Sequence, residues 1–214
     1  MQNSSAKNLI IDVRGNEGGD DDTRNELLSY LIRQPFGCAN PEQKIYRYLR
    51  VPNPLLPYLQ TWNEDFKKPK DSLQYVSFAD NLYKPKAANC SSIEPKPKAF
   101  TGKVYVLIDA KNSSTTFTMA DLLQTTQAAT LIGEKTGGTK QGLNGSQFFF
   151  LHLPYSHLEI DIPLVWQAPT RPRTDCGVIP DHEVLTIPAD LLHNNDRQLN
   201  YTLSLIKNRE DDHR

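Results

Sequence analysis

The stretch KVYVLIDAKNSSTTFTMADLLQTT, residues 103–126, joins an apolar run to a run of hydroxyl residues. Its first half is apolar almost throughout, which is typical of a parallel strand covered on both faces. The serines and threonines that follow are typical of a helix start, because their side chains can cap its free amides. ATLIGE at residues 129–134 then predicts another strand. Strand, helix and strand in this order predict a βαβ unit.

A second stretch with the same pattern is LIIDVRGNEGG at residues 9–19. We predict a buried strand over residues 7–13, a glycine turn, and a helix over residues 23–33 capped by one of the three aspartates before it. The turn holds three glycines in five positions. Glycine costs backbone entropy, so such a turn indicates positive φ or the close approach of another backbone.

The rest of the chain has one irregular part. Residues 38–101 are rich in proline and aromatic residues, and we predict an insertion of short helices and extended segments there. Residues 147–164 predict a β-hairpin, and residues 194–208 predict a closing helix. These elements predict an α/β protein with helices packed on a mostly parallel sheet, forming a single domain over residues 1–214.

Composition and charge narrow the range of functions. The net charge is -1, so no overall field attracts nucleic acid. No apolar run reaches the roughly 20 residues of a membrane span, and residues 1–5 lack the features of a signal peptide. The cysteines, Cys38, Cys90 and Cys176, are scattered and support neither a zinc site nor a disulfide framework. The glycine turn has no nucleotide-binding spacing, and we expect no metal and no cofactor.

The hydroxyl run at residues 113–116 is the candidate for a nucleophile. A serine in the first turn of a helix lies near free backbone N–H groups, and the residue after it can donate an N–H to a developing oxyanion. This arrangement suits acyl transfer. The alternative is that these residues only cap the helix, and residue type alone leaves both interpretations open.

Five motifs in order carry a family resemblance. They are LIIDVRGNEGG, VYVLIDAKNSSTTFTMADLL, ATLIGEKTGG, FFFLHLPYSHLEIDIPL and GVIPDHEV. Together they resemble the catalytic domain of the C-terminal processing, or tail-specific, serine peptidases, and most closely a divergent Bacteroides-type branch. The resemblance covers residues 7–37 and 102–206. It implies a crotonase-like fold, related to that of the Clp protease.

The resemblance also implies roles for site residues. Ser114 matches the nucleophilic serine at the start of the family's helix, although Phe117 stands where the family has glutamate. The N–H of Thr115 and that of Gly18 or Gly19 would form the oxyanion hole. A glycine turn at this point lets a carbonyl oxygen reach main-chain nitrogen without obstruction.

The general base is less well defined by the motifs. The best-known branch uses a lysine, and alignment of GEKTGGTK puts Thr139 at that position with Lys140 one residue later. Lys140 can accept a proton only if the turn is rearranged and its amine is desolvated. Two alternatives stay open: Lys140 is a solvated surface residue, or the base is a histidine from upstream, as in the tricorn-like peptidases.

The functional prediction is a serine-type endopeptidase that cleaves extended peptides through an acyl-enzyme. A catalytically inactive peptide-binding or scaffolding relative is the first alternative, and a crotonase-type acyl-CoA enzyme is the second. The resemblance implies a peptide or protein substrate, a location in the bacterial periplasm or envelope, and upstream helical and PDZ-like parts that this chain lacks. The chain would then be a fragment of a larger protein.

Overall fold

The computed structural model describes residues 6–37, 43–87 and 92–211. Cys38 and Cys90, two of the scattered cysteines, lie outside these ranges, as do the first five residues. The strands are β1 Asn8–Asp12, β2 Phe36–Gly37, β3 Gln43–Tyr46, β4 Leu59–Gln60, β5 Tyr75–Ala79, β6 Leu82–Pro85, β7 Ser92–Ile93, β8 Lys103–Ile108, β9 Thr130–Gly133, β10 Leu143–Asn144, β11 Phe148–His152, β12 Glu159–Pro163, β13 Val165–Ala168 and β14 His182–Glu183. The α-helices are α1 Asp21–Ser29, α2 Ser114–Thr125, α3 Pro188–Leu192 and α4 Arg197–Asp211, and 3-10 helices cover Asn53–Tyr58, Glu64–Lys67 and Ser72–Gln74.

The chain forms two compact units. The first contains residues 1–37, 92–139 and 175–214, and the second contains residues 38–91 and 140–174. The predicted insertion therefore folds mainly with a later part of the chain, which sequence periodicity gave no means to foresee. A single domain over residues 1–214 stays a prediction.

A four-stranded parallel sheet is the framework of the first unit. Its order is β1-β8-β9-β14, and every neighbouring pair is parallel. β8 is buried from Val104 to Ile108, because the sheet carries apolar side chains on both faces. β1 was predicted to be buried as well, but Asn8–Ile11 are only half-buried because β1 is the outer strand of this sheet.

Two helices cover the parallel sheet in the first unit. Leu199, Leu205 and Ile206 of α4 pack against a core of Tyr105, Leu107 and Ile132. α2 buries seven of its residues, including Phe117, Met119 and Leu123. The predicted βαβ unit and the mixed α/β fold with a parallel sheet flanked by helices are therefore confirmed.

The second unit is built from antiparallel strands. One sheet has the order β10-β13-β3-β6-β5 and another has the order β12-β11-β4. β11 and β12 form the predicted hairpin, with Phe148 opposite Pro163 and His152 opposite Glu159. Val51, Leu59, Phe149, Leu164 and Val165 form the buried core of this unit.

Candidate active site

Ser114 stands where the chain passes from the end of β8 into α2. Its φ is +48°, a left-handed conformation that is rare for a residue with a side chain. Strained backbone of this kind persists only where surrounding contacts hold it in place, and it is concentrated at functional sites. Ser114 is exposed, and it lies at the N-terminal end of α2, where the helix dipole favours negative charge. Its position at the helix start and its backbone conformation both indicate that Ser114 is the candidate nucleophile.

The hydroxyl groups beside Ser114 bind the glycine turn instead of capping the helix. Ser113 makes no side-chain cap bond to α2. Ser113 Oγ donates to Glu17 O at 2.8 Å, Thr115 Oγ1 to Gly19 O at 2.9 Å, and Thr116 Oγ1 to Asn16 Oδ1 at 2.8 Å. Thr115 Oγ1 also lies 3.0 Å from Asp21 Oδ1 in the first turn of α1. Within the part of the chain that the structure describes, the Ser114 hydroxyl makes no hydrogen bond. It is therefore the hydroxyl available for chemistry.

Gly18 is in direct contact with Ser114. A Cβ placed on Gly18 would lie 2.7 Å from Ser114 Cβ and 3.2 Å from both Ser113 O and Thr115 N. The φ of Gly18 is +119°, which L side chains rarely adopt. Space and conformation each require glycine here. The two chain segments predicted to meet, nearly a hundred positions apart in sequence, do lie side by side.

The backbone amides of Thr115 and Gly18 lie beside Ser114. Thr115 N–H belongs to the first turn of α2, where amides have no acceptor within the helix. Gly18 N–H donates to Asn16 Oδ1 at 2.9 Å. An oxyanion can therefore use the Gly18 amide only if it displaces the Asn16 side chain, whereas within the described residues no such bond occupies the amide of Thr115.

Asn112 and Asp109 hold the glycine turn in place through hydrogen bonds. The Asn112 side chain is fully buried and donates from Nδ2 to Val13 O at 2.6 Å and to Asn16 O at 3.1 Å. Asp109 Oδ2 accepts the Gly15 N–H at 2.9 Å. Sequence reasoning gave neither residue a role, although both belong to the short link between β8 and α2. Buried, satisfied amide groups of this kind fix one arrangement of a loop.

Arg14 holds the other side of the turn. Its guanidinium donates to the Asp12 carboxylate at 2.6 and 2.9 Å. It also forms two bonds to Asp196, of 2.9 and 2.7 Å, and one to Gln198 at 3.1 Å. Asp196 and Gln198 were missed because a contact across the whole chain leaves no local pattern. The bonds tie the start of α4 to the glycine turn.

These ion pairs make the stability of the fold depend on pH. Hydrogen bonds from Arg14 lower the pKa of both Asp12 and Asp196 from their ordinary value. Since the folded state binds protons less readily than the unfolded state, this contribution is full above the unfolded pKa of about 3.9 and is lost as the pH falls through the lower folded pKa.

We expect Arg14→Met to reduce the loss of unfolding free energy that acidification causes. The unfolding free energy, measured by denaturant titration between about pH 2 and 6, should fall less steeply with acidification in this variant. Arg33→Met is the matched control, because Arg33 donates to the carbonyl of Thr101 and, within the described residues, to no carboxylate. Equal slopes for the two variants would remove the assigned role of Arg14.

The other predicted site residues lie as follows. Lys140 is half-buried and is the first residue of the later segment, residues 140–174, of the second unit. Lys135, earlier in the same turn, is exposed. Phe117, which stands in place of the family's glutamate, is 3% exposed and packs in the core of the first unit. Its burial indicates a role in packing. Asp181 accepts the Leu131 N–H of β9 at 2.7 Å, a side-chain to backbone bond.

Over residues 6–37, 43–87 and 92–211, no group of three or more His, Cys, Asp or Glu side chains is placed to hold a metal ion. Each helix in those ranges is too short or too polar to cross a bilayer.

The parallel sheet with helices on it and the glycine turn packed on a helix start define the class, a mixed α/β protein. A profile of peptidase family S41 matches residues 1–184. The chain belongs to peptidase family S41, a family of serine peptidases, and the family predicted from the motifs is confirmed. Among curated proteins, none matches the sequence significantly.

Solved structures with a similar fold are longer than this chain. One is from Parabacteroides merdae ATCC 43184, with 18% identity, a TM-score of 0.57, and coverage of 94% of this chain and 52% of the other. A mutant of CPAF has 18% identity and a TM-score of 0.56, covering 90% and 41%. The tricorn protease has 18% identity and a TM-score of 0.51, covering 95% and 15%. The chain thus spans about half of these structures or less, and at this identity the likeness shows the fold alone.

Proposed function

We propose that the protein is a serine endopeptidase that cleaves extended peptides through an acyl-enzyme on Ser114. The observation that carries the proposal is the contact of Gly18 with an exposed Ser114 whose φ is +48°. Membership of peptidase family S41 supports the hydrolytic chemistry. A location in the bacterial envelope rests on the family resemblance.

The proposed roles follow from what each group can do. The Ser114 hydroxyl attacks the scissile carbonyl carbon, and its proton passes to a general base. Thr115 N–H, with the amide of Gly18 or Gly19, then stabilises the negative oxygen of the tetrahedral intermediate. The leaving amine takes the proton, and water releases the acyl group in the second half of the cycle.

An acyl-enzyme is tested by intact-mass measurement. An activated ester of a short peptide, mixed with the protein and quenched with acid, should add the mass of the acyl group, and fragmentation should place it on Ser114. Mass spectrometry of products from a mixture of end-blocked peptides should show internal cuts. Hydrolysis without an acylated form, or release of single residues from unblocked peptides only, would contradict the proposal.

We propose Lys140 as the general base. Lys140→Met should lower kcat/KM by roughly 10²- to 10⁴-fold, since this is the usual contribution of a positioned base. Lys135→Met is the matched control from the same turn, and the exposed position of Lys135 predicts little change. If the two variants retain equal activity, the proton is accepted by another group, such as a histidine from upstream.

A further inference from the structure

The second unit carries an aromatic cluster that the proposed peptidase site does not use. Successive residues of a strand point to opposite faces. In β11, Phe149 is buried in the core of the unit, so Phe148 and Phe150 lie on the opposite face. Their rings are stacked, with centroids 6.4 Å apart and planes inclined by 10°.

Trp62 completes this cluster. Its ring centroid lies 5.6 Å from that of Phe148 and 5.4 Å from that of Phe150. Trp62 is nevertheless 60% exposed, whereas tryptophan side chains in proteins are highly buried on average. We call Trp62, Phe148 and Phe150 the aromatic face. Ring faces of this kind attract cations that lie within about 6 Å.

Carboxylates border the aromatic face on the next strand. Residues directly opposite in an antiparallel pair share a face, and Asp161 of β12 is opposite Phe150. Glu159 of β12 is opposite His152, and their side chains lie 3.0 Å apart. Asp161 and Glu159 are both exposed. The face therefore combines aromatic rings with negative charge.

β12 is the outer strand of its sheet in the described structure, with β11 on one side. Leu153 N–H donates to Leu158 O, and Leu164 N–H donates to Gln147 O, so Leu158 and Leu164 bond inward to β11. Bonded and non-bonded residues alternate along an antiparallel pair. Glu159 and Asp161 therefore direct their backbone N–H and C=O groups outward, where another strand can pair with them.

We propose that β12 binds an extended peptide segment rich in arginine or lysine as an added strand. The outward amides and carbonyls of Glu159 and Asp161 would pair with its backbone, as in other cases of strand addition. Adjacent strands are about 4.8 Å apart, so the added strand lies roughly 10 Å from β11. Only long side chains span that distance, and a basic one meets Asp161 first and the Phe150 ring next. This proposal does not depend on the chemistry of Ser114.

Two competing roles for β12 and the aromatic face predict different behaviour. Charged residues on an outer strand also prevent unwanted pairing with other chains, but that role needs no exposed tryptophan. Aromatic rings beside carboxylates also bind sugars, but a sugar has no use for alternating amides and carbonyls along a strand. The combination of a free strand edge, rings and acids favours a basic peptide.

The test is a binding titration with the Ser114→Ala protein, so that no peptide is cleaved. The probe is a fluorescent, end-blocked peptide alternating valine with arginine, compared with the same peptide carrying glutamate for arginine. The arginine peptide should bind, and the glutamate peptide should bind at least about tenfold more weakly. Trp62→Ala should raise the Kd about tenfold, and Asp161→Asn should raise it up to about fivefold.

Substitutions at one position isolate the backbone contact. Asp161→Ala and Asp161→Pro both remove the carboxylate, but the proline also removes the outward N–H, a position where outer strands tolerate proline. We expect the proline variant to bind about fivefold more weakly than the alanine variant. Equal binding by the two variants, equal binding of the arginine and glutamate peptides, or binding of cello-oligosaccharides in their place would overturn the proposal.

Discussion

Replacement of Ser114 by alanine should reduce peptide turnover by about 10⁴-fold or more. Loss of a nucleophile removes the covalent step entirely, and what remains comes from binding and oxyanion stabilisation alone. The same variant should lose labelling by a fluorophosphonate. Because Ser114 is exposed and its hydroxyl bonds to nothing in the described chain, the folded structure should be retained.

Ser113→Ala is the matched control for this prediction. Ser113 is the neighbouring serine, and its hydroxyl donates to Glu17 O, a bond that helps hold the glycine turn. Its loss should cost about 0.5–1.5 kcal/mol of stability and leave labelling in place. If Ser113→Ala abolishes labelling and Ser114→Ala does not, the assignment of the nucleophile is wrong.

Gly18→Ala should lower kcat/KM by about 100-fold or more. The new Cβ would be 2.7 Å from Ser114 Cβ, so either the turn or the serine must move. Misplacement of a reacting group by about 1 Å costs on the order of 10²-fold in rate. The left-handed φ of +119° adds strain of about 1–3 kcal/mol to the folded state.

Gly145→Ala provides the comparison for this loss. An added Cβ at Gly145 meets no atom within 4 Å, and Gly145 is outside the left-handed region. Steady-state kinetics and denaturant unfolding on both variants should show a large loss of rate for Gly18→Ala alone. A Gly18→Ala protein with ordinary activity would mean that the contact with Ser114 has no part in catalysis.

The parallel strands and α2 were predictable because their signal is local. β8 is an apolar run covered on both faces, and the hydroxyl residues that follow it open α2. The closeness of the glycine turn to Ser114 was also predictable, since three glycines in one turn indicate a close approach.

Other parts of the site depend on the tertiary fold and leave no local signal. The left-handed φ of Ser114, next to the glycine turn, and the bonds from Arg14 to Asp196 occur where distant segments of the chain meet. The pairing of β3 with β13 has the same cause, because a strand in the insertion gives no indication of its partner. Sequence periodicity reports which face is buried, not what covers it.

The most direct measurement is a crystal structure of the protein after reaction with a fluorophosphonate. The central claim is that the glycine turn and the start of α2 form one oxyanion site beside Ser114. It predicts phosphorus bonded to Ser114 Oγ, with the phosphoryl oxygen about 2.7–3.1 Å from Thr115 N and from the N of Gly18 or Gly19. An adduct on another residue, or a phosphoryl oxygen that turns to solvent away from these amides, would contradict it.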